Sequence, residues 1–237
     1  MRTDVKAYAG VGSRSCPEDV CRLFANFAYV LAKEGWRLRS GAAEGADSAF
    51  EQGVDHYLRR AKEEEALAAR EAKAIFLPWD GFEAKSGSPR TFEKAGACRA
   101  PPDARKIAAR YHPAWNRLSE GARKLHTRNV GQVLGADGQS PASFLVCWTP
   151  DGCASPEEIS EATGGTGQAL RIAADWGVPV FNAKRPRHRR RLEKKVARFK
   201  KKQSAKSPSA RGGSRPESGR PEARPPAYER EGVRPSL

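Results

Sequence analysis

Short apolar runs alternate with longer stretches of helical periodicity along most of the chain. Val5–Gly10 (VKAYAG) is apolar, ends on glycine and reads as a first strand. Val20, Leu23, Phe24, Phe27, Val30 and Leu31 recur at helical spacing, which predicts a helix over Asp19–Glu34 closed by Gly35. Trp36–Ser40 (WRLRS) reads as the second strand. The turn Gly41–Asp47 (GAAEGAD) then opens a helix from Ala46 toward Tyr57. Arg, Lys, Glu and Ala dominate Leu58–Lys73, which suggests continued, exposed helix. Ala74–Leu77 (AIFL) follows as the third strand, and glycines and prolines make the next segment irregular. Two helical patches are expected, over Pro102–Tyr111 and Pro113–Leu134. Ser143–Trp148 (SFLVCW) is the clearest buried strand. After a loop over Thr149–Thr163, Gly164-Gly165-Thr166-Gly167 opens a helix ended by Gly177, and Val178–Phe181 is the last strand.

This alternation predicts an α/β fold: a Rossmann-like, mostly parallel sheet with helices on both faces. The composition is not uniform. The chain carries 43 Lys plus Arg against 28 Asp plus Glu, a net charge of +15. From Lys184 to Leu237 there are 19 basic and 5 acidic residues, so the high pI belongs to the C-terminal part and the first 183 residues are nearly neutral. Residues 1–183 are long enough to bury one core and are expected to form one Rossmann-like domain. Over 184–202 a basic run sets Leu192, Val196 and Phe199 at helical spacing, the pattern of a short amphipathic helix. Residues 203–237 are rich in Pro, Arg, Gly and Ser and are expected to form a disordered tail.

The five cysteines, Cys16, Cys21, Cys98, Cys147 and Cys153, are odd in number and none has zinc-knuckle spacing, so no metal site is expected. Asp4 and Lys6 interrupt any apolar leader, and no run reaches the length of a membrane span. The expected location is cytoplasmic.

Three glycine-rich turns each follow a predicted strand and precede a predicted helix: Gly10–Ser15, Ser40–Asp47 and Thr163–Gly167. In a parallel sheet all three would lie at the carboxyl edge, where ligands bind near a reversal of strand order. Glycine permits close approach of the backbone, and helix amino termini offer N–H groups to anions. Ser13, Ser40 and Thr166 add hydroxyls, and Arg14 adds a bidentate group for phosphate. The first turn lacks a glycine at Ser15, so it is not the dinucleotide fingerprint, and no Gly-Lys-Ser or Gly-Lys-Thr marks a Walker loop.

Gly12-Ser13-Arg14, then Ser40-Gly41-Ala42 with Gly45-Ala46-Asp47, then Arg128-Asn129, then Gly164-Gly165-Thr166 with Ala169, occur in that order. In this the chain resembles the SLOG superfamily, and most of all the Rossmann-like domain of the DNA-processing protein A recombination mediators in their short phage and bacterial forms. The resemblance spans about Val5–Asn182. It implies a nucleotide or nucleotide-derived ligand, with no other cofactor, held at these loops. Gly12, Ser13 and Arg14 would hold phosphate, while Ser40, Gly41, Gly45 and Asp47 would shape a second wall. Arg128 would supply charge, Asn129 would fix its loop, and Gly164, Gly165 and Thr166 would close the pocket. It also implies single-stranded DNA as a partner and a homodimer, and the basic tail is a second element that would attract nucleic acid.

Phosphoribohydrolases of the same superfamily carry a Glu shortly after their glycine loop. Here Gln168, Ala169, Leu170 and Arg171 follow Gly167, which leaves Glu44 and Asp47 as the candidate catalytic acids for N-glycosidic cleavage. Each candidate has a plainer reading. Asp47 would cap its helix, Glu44 would face solvent, and Arg128 would pair with an acid such as Glu120. His126 and His112 would be surface and structural residues, Trp79 and Trp115 would pack rather than stack on a base, and Cys147 would be a small buried hydrophobe. Trp148, at the end of a strand at the proposed ligand edge, is open to either role. Three functions follow as expectations: a nucleotide-binding protein in a DNA-processing or recombination setting, a single-strand-binding recombination mediator, and a nucleotide N-glycosidic hydrolase.

Overall fold

The computed structural model describes residues 6–61, 71–82 and 91–206. Six strands form one all-parallel sheet: β1 (Ala7–Gly10), β2 (Arg37–Ser40), β3 (Lys73–Phe76), β4 (Ala97–Cys98), β5 (Leu145–Cys147) and β6 (Val180–Asn182). Their order is β4-β3-β2-β1-β5-β6. Among the described residues, six α-helices connect and cover them: α1 (Glu18–Lys33), α2 (Ala46–Leu58), α3 (Ala104–Tyr111), α4 (Glu120–Leu134), α5 (Thr166–Asp175) and α6 (Pro186–Lys206). The α/β architecture expected from the alternating pattern is the one observed.

Side-chain alternation along the strands sorts the core into two layers. Tyr8, Leu38, Ile75 and Val146 pack with residues of α1 and α2 on one face. Ala9, Leu145 and Cys147 pack with residues of α3, α4 and α5 on the other. Phe24 and Phe50 stack at 4.3 Å between ring centroids, joining α1 to α2. Leu192 and Val196 of α6 are buried in the first layer with Phe199 packed against it, so the ordered core extends past residue 183.

The elements depart from the sequence expectation in five places, the first being the helix expected over Leu58–Lys73: α2 stops at Leu58, and Lys73 already belongs to β3. The expected single helix over Pro113–Leu134 is a 3-10 turn at Trp115–Arg117 followed by α4. Ser119 starts α4 afresh by accepting the Ala122 amide on its hydroxyl at 3.3 Å, and Glu120 sits in the first turn. Strand β4 lies in a segment expected to be irregular; at two residues it is too short to show periodicity. The loop after β5 contains 3-10 turns at Pro156–Glu158 and Glu161–Thr163. Helix α6 runs four residues beyond the expected basic helix at its C-terminal end. Residues 62–70 of the expected exposed helix and the tail from 207 lie outside the described residues.

Strand order positions the site. Connections leave β1 toward β2 on one side, while β5 pairs on its other side. The chain therefore reverses direction across the sheet between β1 and β5, opening a crevice at their carboxyl ends.

Helices α1 and α2 meet closely at Gly53, where an added Cβ would lie 2.1 Å from the Ala25 carbonyl oxygen. Gly53→Ala is expected to destabilise the protein by about 1–3 kcal/mol through overpacking. Helix propensity alone would give a gain of about 0.5–1 kcal/mol. Guanidinium denaturation checks it, and a raised midpoint contradicts close packing here.

Candidate functional site

The crevice contains a cavity of about 320 Å³. Segments far apart in sequence line it: Val11–Arg14 after β1, Ala43 and Asp47 around the start of α2, one side of α4, and Ala162–Thr166 leading into α5. Of the residues singled out from sequence, Gly12, Ser13, Arg14, Asp47, Arg128, Asn129, Gly164, Gly165 and Thr166 are brought together there.

Ser40, Gly41, Gly45 and Glu44 do not line the cavity. Ser40 is fully buried and donates its hydroxyl to the Gly10 carbonyl at 2.7 Å, tying β2 to β1. Gly41 makes room for an arginine: a Cβ there would sit 1.1 Å from Arg128 Nη1. Gly45 adopts φ +73°, and its Cβ would lie 2.5 Å from the Ser13 and Arg14 carbonyl oxygens. These glycines thus support the walls from behind.

Asp47 and Arg128 form the floor. Arg128 Nη1 lies 3.3 Å from Asp47 Oδ2, with both side chains buried. Asp47 Oδ2 also accepts the Ala43 amide at 3.4 Å, so the carboxylate fastens the turn before its own helix instead of capping the helix end. Gln132, one turn along α4 from Arg128, completes the cluster. With its amide oxygen toward the donors, it accepts from the Gly41 amide at 2.8 Å and Arg128 Nη1 at 3.3 Å, and donates to Asn129 Oδ1 at 2.9 Å. Burial pushes the Asp47 carboxyl up and the Arg128 guanidinium down, while their mutual attraction opposes both shifts. Arg128 does not pair with Glu120, which is held by Arg105 at 2.6 Å on the surface.

Helix α4 also grips the start of α5. Asn129 Nδ2 donates to the Gly165 carbonyl at 3.4 Å and to Gln168 Oε1 at 3.1 Å. His126 Nδ1 lies 3.0 Å from the same Gln168 oxygen, and Gln168 Nε2 donates to the Ala108 carbonyl at 2.8 Å. Far from being a plain surface residue, His126 lines the cavity, half-buried, with its ring 4.3 Å from that of His112. Burial lowers its pKa below the ordinary histidine value, against the partial opposition of the Gln168 hydrogen bond, and favours the neutral imidazole. His112 accepts the Ala114 amide at 3.2 Å, a structural role that fits the expectation for it.

The loop into α5 is fixed by Asp151. Its carboxylate accepts from Ser160 Oγ at 2.6 Å, from the Cys153 amide at 3.2 Å and from the Thr163 hydroxyl. Burial opposes its ionisation, but these hydrogen bonds outweigh burial and hold the carboxyl well below the usual range. Trp148 is buried in the first core layer and joins the site only through its carbonyl, which accepts the Ser13 amide at 3.0 Å.

The upper wall presents donors. Among the described residues, no hydrogen bond uses the amides of Gly12, Arg14, Gly165 or Thr166. The guanidinium of Arg14 is exposed and forms no ion pair with a described residue. Its charge adds to the positive potential felt by Arg128. Leu125, Val11 and Ala169 add apolar surface. The arrangement therefore offers donors that can receive an anion above a charge-compensated floor. Among the described residues no group of three or more His, Cys, Asp or Glu side chains is placed to hold a metal ion. The chain matches no family model, no curated protein and no solved structure.

Sequence reasoning passed over Gln132 and gave His126 a surface role. Helical spacing carried the signal for Gln132, since positions 128, 129 and 132 share the face of α4 that meets the sheet edge; His126 is joined to that face only through Gln168, which no helical pattern encodes.

Replacing Arg128 by Met leaves Asp47 buried without its cation and is expected to cost about 3–5 kcal/mol. In that variant the folded-state pKa of Asp47 rises further above its unfolded value. Stability is then retained at low pH, where the carboxyl is protonated, and lost as pH rises. Denaturation at pH 5 and pH 8 checks this: the loss is larger at pH 8, and Asp47→Asn/Arg128→Met recovers part of it. Equal losses at both pH values, with no recovery, would remove the ion pair from its place in the floor.

Proposed function

We propose that this cavity binds a phosphate-bearing nucleotide or nucleotide-derived ligand. One observation carries the reading: Gly12, Arg14, Gly165 and Thr166, whose amides have no hydrogen-bond partner among the described residues, line one crevice at the reversal of strand order together with the exposed guanidinium of Arg14. Amides fixed in loops lose little freedom on binding, and α5 turns the positive end of its dipole toward the same space. Arg14 supplies the charge-assisted, bidentate contact that peptide groups lack. The cavity is at the small end of the ligand-site range, about 300–1,000 Å³, and suits a mononucleotide-sized group. Leu125 and Ala169 provide apolar surface for a base or sugar, and neutral His126 provides a hydrogen-bonding group beside it.

The ordered series of motifs that resembles the SLOG superfamily supports the same ligand class and sets it in DNA processing or recombination. The hydrolase reading draws no support from the site. Asp47 is engaged with Arg128 and the Ala43 amide, and Glu44 is outside the cavity lining.

Titration calorimetry with nucleoside mono-, di- and triphosphates and cyclic nucleotides tests the proposal. At least one should bind, and Arg14→Ala should weaken it roughly 10- to 100-fold, the loss of about 1.5–3 kcal/mol for a charged hydrogen bond. Flat titrations across the panel would overturn the reading.

A further inference from the structure

We propose that helix α6 is a docking surface for the phosphodiester backbone of nucleic acid, separate from the crevice. The helix spans Pro186–Lys206 and carries eleven Lys and Arg against one Glu. Beyond it, residues 207–237 carry six Arg against four Glu, so the chain's positive charge is concentrated on α6 rather than on the tail.

Nine of the eleven cations on α6 fall into two sets. Arg189 pairs with Asp19 and Glu193, each at 2.9 Å, and Lys195 pairs with Glu34. These residues fasten α6 to α1 alongside the buried Leu192 and Val196. The second set is Arg187, Arg190, Arg191, Lys194, Arg198, Lys201 and Lys202, all exposed. At 3.6 residues per turn these seven lie within about a third of the helix circumference, opposite the apolar face. None forms an ion pair with a described residue. Arg190 contacts only the Pro186 carbonyl, and Arg191 lies over the Phe181 ring at 5.2 Å.

Like charges packed at i, i+3 and i+4 destabilise a helix. Here the apolar seam and the flanking ion pairs hold that stripe in place. From Arg187 to Lys202 it extends about 22 Å, at 1.5 Å per residue. Seven cations over that length give one per roughly 3 Å, close to the axial rise of about 3.4 Å per phosphate for one strand of a duplex. A rigid row of this density fits a linear polyanion. An anionic membrane is the weaker partner, because a surface helix holds a bilayer by inserting apolar side chains. Those of α6 are turned into the protein, and the exposed large hydrophobic residues among the described ones, Trp79 and Trp176, are elsewhere.

Fluorescence anisotropy with labelled 30-nucleotide single strands and duplexes, measured from 50 to 300 mM salt, tests the proposal on the full chain. The quintuple variant R187Q/K194Q/R198Q/K201Q/K202Q removes exposed stripe charges that form no ion pair with described residues and keeps helix-forming side chains. A second variant changes the tail arginines Arg211, Arg215, Arg220, Arg224, Arg230 and Arg234 to Gln. The stripe variant should bind more than tenfold more weakly at 100 mM salt. Its log–log salt slope should be shallower by about 0.9 for each phosphate that the helix no longer neutralises. The tail variant should stay within about threefold of the parent, and nucleotide binding in the crevice should be unchanged in both. Unaltered affinity in the stripe variant, a loss confined to the tail variant, or parent protein that binds phosphatidylserine vesicles but neither nucleic acid would overturn it.

Discussion

The ion pair between Asp47 and Arg128 is the constraint on which the crevice depends. It joins the first turn of α2 to the middle of α4, two segments 81 residues apart in sequence. An isolated charge in this position would be costly, and even a paired one gains little net stability. What the pair fixes is geometry. Gly41 has no side chain because Arg128 fills that space, and Gln132 joins the Gly41 amide to Arg128 and Asn129. Asn129 in turn holds the Gly165 carbonyl and Gln168 at the start of α5. One contiguous polar cluster thus reaches from the second loop to the third, while Gly45 presses against the first from the side. The floor's two charges are used on each other, and the donors left without a partner among the described residues include the upper-wall amides, Arg14 and the buried Nε of Arg128.

The fold was legible because its signals are local. Five of the six strands and most of the helices followed from apolar runs, helical spacing and glycine stops. The two-residue β4 gave no periodicity to read. The break before α4 turned on Ser119, whose capping bond appears only when the backbone is in place. The candidate site was legible as a set of loops but not as a set of roles. Ser40 and Gly41 were expected at the ligand, yet one bridges two strands and the other clears space for a guanidinium. Such roles depend on partners about 30 and 87 positions away, which no local pattern encodes. Arg128 was open between a helical neighbour and an anion; its partner proved to be a buried acid from another element.

The molecule separates two kinds of positive charge. In the crevice the donors are unpaired loop amides and one exposed arginine over a neutralised floor, which is the basis for proposing a small anion there. On α6 it comes from a dense row of solvated cations on a helix seated against α1, an arrangement for an extended anion held loosely. Because Leu192 and Val196 belong to the core, that row is part of the folded body. The helix begins just after β6, at the sheet edge where the crevice opens, so both surfaces start from one end of the molecule.

The central claim is that loops distant in sequence turn their amides on a single anion. Backbone NMR during titration with ADP tests it most directly. The Gly12, Arg14, Gly165 and Thr166 amide resonances are expected to shift together along one binding curve while those of α6 stay still. Shifts confined to one loop, or to α6 alone, would contradict it.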